Sequence, residues 1–343
     1  MTGDRGTTQT DAAALANDRR KTRAAMISIA SNALLIALKI VAGVITGSVA
    51  ILTEAAHSSI DLLASVIAFY SLRKAAEPAD ESHPYGHAKM ENLAAAIEGM
   101  LILVGAGVIV YESIRRLAGG ADVDALGLGI AVIGLSALAN FAVSGYLYRE
   151  ARATDSPALK GDAAHLRTDA WTSVGVLIGL TLVAITGIDA LDSITALVVA
   201  GAIVAAGVRL VTSSSRVLVD EALPDEELDI VREIIGRHEG SEVVGFHALR
   251  ARRAGSRRYV DMHVQFREGT TLERAHELAH ELQSEIRGRL GGGADVLIHL
   301  EPESALRQVD RGRQPDGEHH PEVPDVAVDE QQQGRHEAEH YGR

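Results

Sequence analysis

Apolar residues run in six windows, near Ala24 to Thr46, Val49 to Leu72, Met90 to Arg115, Ala125 to Tyr148, Ala158 to Thr186 and Ala190 to Thr212. Each is close to the roughly 20 residues that a helix needs to cross a hydrocarbon core of ~30 Å, so six membrane-spanning helices are predicted. Lys39, Glu91, Glu98 and Asn140 interrupt them and should face the bundle or snorkel to an interface. Near Ser213 the pattern changes. It then reads helix (Pro224 to His238), strand (Glu242 to Arg252), strand (Arg257 to Arg267), helix (Leu272 to Leu290) and strand (Asp295 to Glu301), the order of a small open-faced sandwich of the ferredoxin-like kind. The expected fold is therefore an α-helical membrane protein: a six-span transmembrane bundle followed by a ferredoxin-like α+β domain. Residues 1–23 form an N-terminal segment, 24–213 the bundle, 214–303 the α+β domain and 304–343 a tail. The tail is too poor in apolar residues to offset its ordering entropy and should be disordered. Its His319, His320, His336 and His340 are read mainly as solvated, with loose metal capture the alternative.

Charge sets the orientation. Basic residues precede the first span (Arg19, Arg20, Lys21, Arg23), lie between the second and third (Arg73, Lys74, Lys89) and the fourth and fifth (Arg149, Arg152, Lys160), and follow the sixth (Arg216). The alternate loops Gly47-Ser48, Ala118 to Asp124 and Gly187 to Asp189 hold none. The positive-inside rule puts both termini and the α+β domain in the cytoplasm, against the minor dissent of Arg115 and Arg116. The chain-wide averages, 47% hydrophobic and 23% charged over 343 residues, conceal the boundary between the two parts. A net charge of -13 argues against a nucleic-acid partner, and the first 23 residues are too polar for a cleaved signal peptide. With no cysteine, any tight metal site must be built from His, Asp and Glu.

Such residues recur in a pattern. Glu54-Ala-Ala-His57-Ser-Ser-Ile-Asp61 in the second window is matched by Asp162-Ala-Ala-His165-Leu-Arg-Thr-Asp169 in the fifth, and the match continues to Ser65-Val66 and Ser173-Val174. Helical positions i and i+4 share a face, so each copy aims an imidazole and a carboxylate at one point. Two facing copies supply the two nitrogens and two oxygens of a tetrahedral site for zinc or a related divalent ion. The alternative is a pair of satisfied polar contacts between buried helices. Between the second and third windows, Asp80, His83 and His87 crowd one turn, either a more exposed metal site or a solvated charged loop.

In the α+β domain Val260, Met262, Val264 and Phe266 alternate with Asp261, His263 and Gln265, and Val296, Ile298 and Leu300 with His299 and Glu301. The helices should cover the apolar sets and leave the others on the open face. A hairpin centred on Gly255 puts residues whose numbers sum to 510 opposite one another, so His247 faces His263. His247, His263, His299 and Glu301 then converge as a metal cluster, in a register that a one-residue bulge would break. His276-Glu277-Leu278-Ala279-His280 matches the zinc-protease pattern. No nearby third histidine or surrounding catalytic domain accompanies it, so the chain is not read as an enzyme, and His276 is better used in a metal site at a dimer seam.

Together these residues resemble the cation diffusion facilitator family of zinc-exporting antiporters, from about Lys21 to Pro302. The similarity rests on the two His-x-x-x-Asp motifs, the Pro-Ala-Asp-x-x-His-x-x-Gly-His-x-Lys loop and the α+β domain with its spaced histidines. It implies a transport site of His57, Asp61, His165 and Asp169 and a loop site of Asp80, His83 and His87. It also implies a binuclear cytoplasmic site of His247, His263, His276, His299 and Glu301, with Glu301 where relatives often carry Asp. Further implications are a homodimer in the lipid bilayer of the cell membrane, a charge lock between Lys89 and Asp220, and secondary active export of zinc in exchange for protons. Zinc is then substrate and regulatory ligand, with no cofactor. Histidine at both 57 and 165 favours zinc over manganese, while the short loop between the fourth and fifth spans lacks the histidine run of some members. The alternatives are an exporter of iron(II), manganese, cobalt or cadmium, or a metal receptor that does not transport.

Overall fold

Six long helices form where the apolar windows stand. In the computed structural model they are α1 (Asp4–Thr46), α2 (Val49–Ala75), α3 (Met90–Gly119), α4 (Gly127–Thr154), α5 (Pro157–Thr186) and α6 (Ala190–Leu218). The structure describes residues 4–46, 49–119, 127–188, 190–240, 242–290 and 293–304. The tail from 305 onward lies outside the described residues, as do some helical side chains, those of Glu54, His57 and Asp61 among them. Among the described residues, four segments are long and apolar enough to cross a membrane on their own: Leu15–Ile45, Met90–Ala118, Pro157–Thr186 and Ala190–Leu218. Large apolar side chains such as Val44, Val104, Leu138, Ile185 and Val198 point outward, as the bilayer requires of a membrane domain. The four interrupting polar residues do the opposite. Lys39, Glu91, Glu98 and Asn140 are all buried in the bundle.

Small residues set the helix spacing. A Cβ at Gly99 of α3 would stand 2.7 Å from Val211 Cγ2 of α6, and one at Gly207 would meet Leu103 at 2.9 Å. Bare backbone thus allows α3 and α6 their close approach. Helix α5 is central, packing on α2, α3, α4 and α6. Its start is fixed by Ser156, which accepts from Leu159 N at 3.3 Å with Pro157 in the first turn. It ends at Gly187, whose φ of +70° is the left-handed cap and whose N–H donates to Val183 O. Helix α1 begins well before its apolar window because the preceding stretch is rich in Ala and Arg, good helix formers. Its Lys21 is buried against α3, with Nζ 2.7 Å from Glu91 Oε1.

The α+β domain follows as α7 (Asp225–His238), β1 (Val243–Ala254), β2 (Arg257–Phe266), α8 (Leu272–Leu290) and β3 (Asp295–Pro302). The sheet order is β1-β2-β3, with β1 antiparallel and β3 parallel to β2. The parallel pair requires a crossover, which α8 supplies. Val260, Met262, Val264, Phe266, Val296 and Ile298 form one core with Val231, Ile234 and Ile235 of α7 and Leu278, Leu282 and Ile286 of α8. Both helices therefore cover a single face.

The hairpin corrects the expected register. Ala254 pairs with Arg257, so the loop is the two residues Gly255-Ser256 and opposing numbers next to it sum to 511. In that register His247 would lie opposite Val264 and point into the core. An extra residue on β1 between His247 and Arg250, with Ala248 at φ +51°, shifts the pairing by one and brings His247 opposite His263. The bulge makes the histidine pair rather than breaking it, since a one-residue slip exchanges the two faces of a strand.

The hairpin tip docks on the helical bundle. Gly255 N donates to Asn92 Oδ1 at 2.7 Å, and a Cβ there would stand 2.5 Å from Ala88 O, so at φ +56° only glycine fits. Lys21 Nζ also donates to Ser256 Oγ at 2.9 Å. Arg258 joins Asp155 (2.9 Å) to Glu227 (2.6 Å), and Tyr259 donates to Tyr85 O at 3.0 Å. Lys89 and Arg252 both reach Asp220, at 2.8 and 3.0 Å.

Candidate metal centres

Helix α5 carries His165 and Asp169 one turn apart, Nε2 to Oδ2 3.8 Å, His165 buried and Asp169 partly so. The facing positions 57 and 61 are on α2, which packs on α5. Ser65 of α2 donates to Asp162 Oδ1 of α5 at 2.9 Å and fixes the level of the two helices. Position 61 lies about 6 Å along α2 from that contact and His165 about 4.5 Å along α5, at ~1.5 Å of rise per residue. In this antiparallel pair both steps lead away from the α+β domain, so the two motifs stand at matching depth. Beside position 57, Lys39 Nζ of α1 donates to Ser58 Oγ at 2.7 Å.

The Asp80, His83 and His87 side chains converge in the loop between α2 and α3, with one ligand atom of each within 4.8 Å of the others. Asp80 Oδ1 accepts from the backbone N–H of Ser82 (2.9 Å) and of His83 (2.6 Å), a turn that aims the carboxylate. The His83 backbone bond, ahead of the neighbouring imidazoles, holds the Asp80 carboxyl below its ordinary range. His83 Nδ1 is 3.2 Å and His87 Nε2 3.3 Å from Asp80. His87 is 6% exposed, yet neither of its ring nitrogens has a hydrogen-bond partner among the described residues. A buried imidazole with a carboxylate at 3.3 Å as its polar neighbour favours a further partner.

On the open face of the sheet, His247, His263 and Glu301 form a third group. His247 Nε2 and His263 Nδ1 each stand 2.7 Å from a different Glu301 oxygen. Burial would raise the Glu301 carboxyl, but the bonds from His247 and His263 outweigh it and hold it below its ordinary range. His299 lies at the edge, its ring 4.7 Å from that of His263 and its Nε2 4.0 Å from Glu301. His276 is not brought to this group within one chain. It sits on α8, across the sheet, with its Nε2 3.1 Å from that of His280. The nitrogen and oxygen donors of both the loop and the open face are of the kind that zinc takes.

Two buried carboxylates escaped assignment from sequence. Asp162 opens the fifth-window motif and Glu98 lies within the third window; both are fully buried. The repeat itself, with an acid three residues before each histidine, was the signal that could have raised the first.

The cation efflux transmembrane domain matches residues 25–219, and the cation efflux protein cytoplasmic domain matches residues 223–303. An uncharacterized transporter of Synechocystis sp. is 36% identical over 278 residues, covering 81% of this chain and 89% of its own. The cation-efflux pump FieF of Pectobacterium carotovorum is 31% identical over 295 residues, covering 86% and 97%. That of Serratia proteamaculans is 32% identical over 290 residues, covering 84% and 95%.

Proposed function

The chain belongs to the cation diffusion facilitator, or cation efflux, family, and we propose that it exports zinc from the cytoplasm in exchange for protons. The observation that carries this reading is the His165-Asp169 pair on α5, its imidazole buried, level with positions 57 and 61 of α2 inside an apolar bundle. Ionisable residues at that depth are costly and mark ion paths. His57, Asp61, His165 and Asp169 are the proposed transport ligands, both termini are cytoplasmic, and the functional unit is a homodimer.

Zinc binds while the imidazoles are neutral and the carboxylates ionised, so metal and protons compete for the same atoms. Rocking of the bundle turns the site outward, protons displace the metal there, and their return inward drives the cycle. Histidine, with an unperturbed pKa of about 6.5, suits this exchange. Asp80, His83 and His87 form the proposed loop site. Metal on His247, His263, His299 and Glu301, with His276 used at the dimer seam, tightens the dimer and favours transport. Support for that regulatory role comes from the open-face geometry, since the sheet side opposite α7 and α8 is the one left for a partner.

Reconstituted vesicles loaded in parallel with Zn2+, Fe2+, Mn2+, Co2+ and Cd2+ test the selectivity. Zinc should show the highest kcat/KM, because two nitrogens and two oxygens suit it. Preference for manganese or iron(II) would reassign the substrate, and absence of any flux despite metal binding would leave a receptor.

A further inference from the structure

Glu91 and Glu98 lie seven residues apart on α3, about two helical turns, on the side that packs against α5. Glu91, nearer the α+β domain, is neutralised by Lys21 at 2.7 Å and accepts from Ser156 Oγ. Glu98, deeper in the bundle, is 0% exposed, and neither of its oxygens has a hydrogen-bond partner among the described residues. A Cβ at residue 161 would overlap Glu98 Oε2, which places this carboxylate on the α5 backbone beside Asp162. Asp162 is also 0% exposed. Its Oδ1 accepts from Ser65, whose oxygen is held by Asn32 at 2.8 Å, while its Oδ2 has no partner among the described residues. Three carboxylate oxygens without a hydrogen-bond partner among the described residues therefore lie on neighbouring stretches of α3 and α5, one turn from His165 on the side of the α+β domain.

We propose that Glu98 and Asp162 form an oxygen-only waiting site for a divalent cation on its way from the cytoplasm to the transport ligands. The inference rests on the export reading above. Two carboxylates match the charge of one dication. Oxygen donors without imidazole hold zinc less tightly than the mixed site one turn deeper, which gives the cation a direction. A transit site must bind well enough to admit the ion and weakly enough to pass it on. Nearer the cytoplasm, the Lys21-Glu91 pair is already satisfied and offers the cation no competing stop.

The test is initial zinc flux in proteoliposomes against zinc concentration on the cytoplasmic side. Glu98→Gln keeps the shape and removes the charge; it should raise KM about tenfold with a smaller change in kcat, and Glu98→Asp should recover most of the loss. A wild-type KM in Glu98→Gln, or an equal loss of kcat in both variants with KM unchanged, would overturn the proposal. A second measurement separates it from the export reading. In equilibrium dialysis of the full, detergent-solubilised Asp169→Ala chain against Mn2+ alone, adding Glu98→Gln should remove one bound ion per chain. Equal counts would overturn the waiting site even if the wild type exports zinc, and a lost ion would uphold it even if no flux is seen.

Discussion

Asp220 receives two cations at once, Lys89 at 2.8 Å and Arg252 at 3.0 Å, where the last membrane helix gives way to the α+β domain. The Lys89 bond is the largest cause that holds its carboxyl below the ordinary range; burial opposes it, and the Arg252 bond adds to the lowering. A depressed carboxylate stabilises the folded state above its unfolded value, about 3.9, and loses that contribution as pH falls through the lower folded value. The joint is therefore expected to be indifferent to pH between 5 and 8, by the ~3.9 reference, and to loosen only in stronger acid. Asp220→Asn should loosen it at pH 7. Spin labels on the two domains read this as a broadened distance distribution, and a distribution as narrow as wild type would dismiss the lock.

At the scale of elements, α5 collects the most consequences. Gly161 is needed because a side chain there would strike Glu98 Oε2 and stand 3.1 Å from Ala95 Cα. Gly161→Ala should destabilise the bundle by about 1 to 3 kcal/mol, the usual cost of overpacking, seen as a lower Tm in detergent. Adding Glu98→Ala should recover part of it. Removing the Ser156 cap should cost about 1 kcal/mol by the same measure, and more if the hydroxyl bond to Glu91 matters. The apolar windows and the alternation of Val260, Met262 and Val264 are long, regular signals, and the six helices and the αββαβ order could be read from them. The bulge could not. Its residues Ala248 and Leu249 are not of the Gly, Asn or Asp type that marks a left-handed backbone, and only the completed ladder reveals the φ of +51° at Ala248 that turns His247 to the open face. The loop group of Asp80, His83 and His87 was legible as a cluster, but the burial of His87 depends on α3 and the docked hairpin, which no local spacing encodes. His276 was expected near the open-face group; α8 carries it across the sheet because its apolar stripe must cover the other face. Glu98 was visible as a polar interruption, but that it has no cation among the described residues emerges only when Lys21 is found with Glu91 instead.

For the whole molecule, the proposed regulation needs a physical link between the α+β domain and the bundle, and the docked hairpin is that link. The hairpin bearing His247 and His263 also bears Gly255, which donates to the Asn92 side chain of α3, and Tyr259 on its second strand reaches the loop that holds His83. Chelating metal from the full-length chain should weaken its dimer and lower its zinc flux, and His263→Ala with His299→Ala should abolish that response. Sedimentation with and without chelator reads the first effect; a dimer equally tight in both would remove metal from the regulatory role. The most direct test of the central claim is zinc uptake into inverted membrane vesicles, with and without a proton gradient, comparing wild type with Asp169→Ala. Zinc/proton exchange at Asp169 predicts gradient-dependent uptake in the wild type and none in the variant. Equal uptake by the two would contradict it.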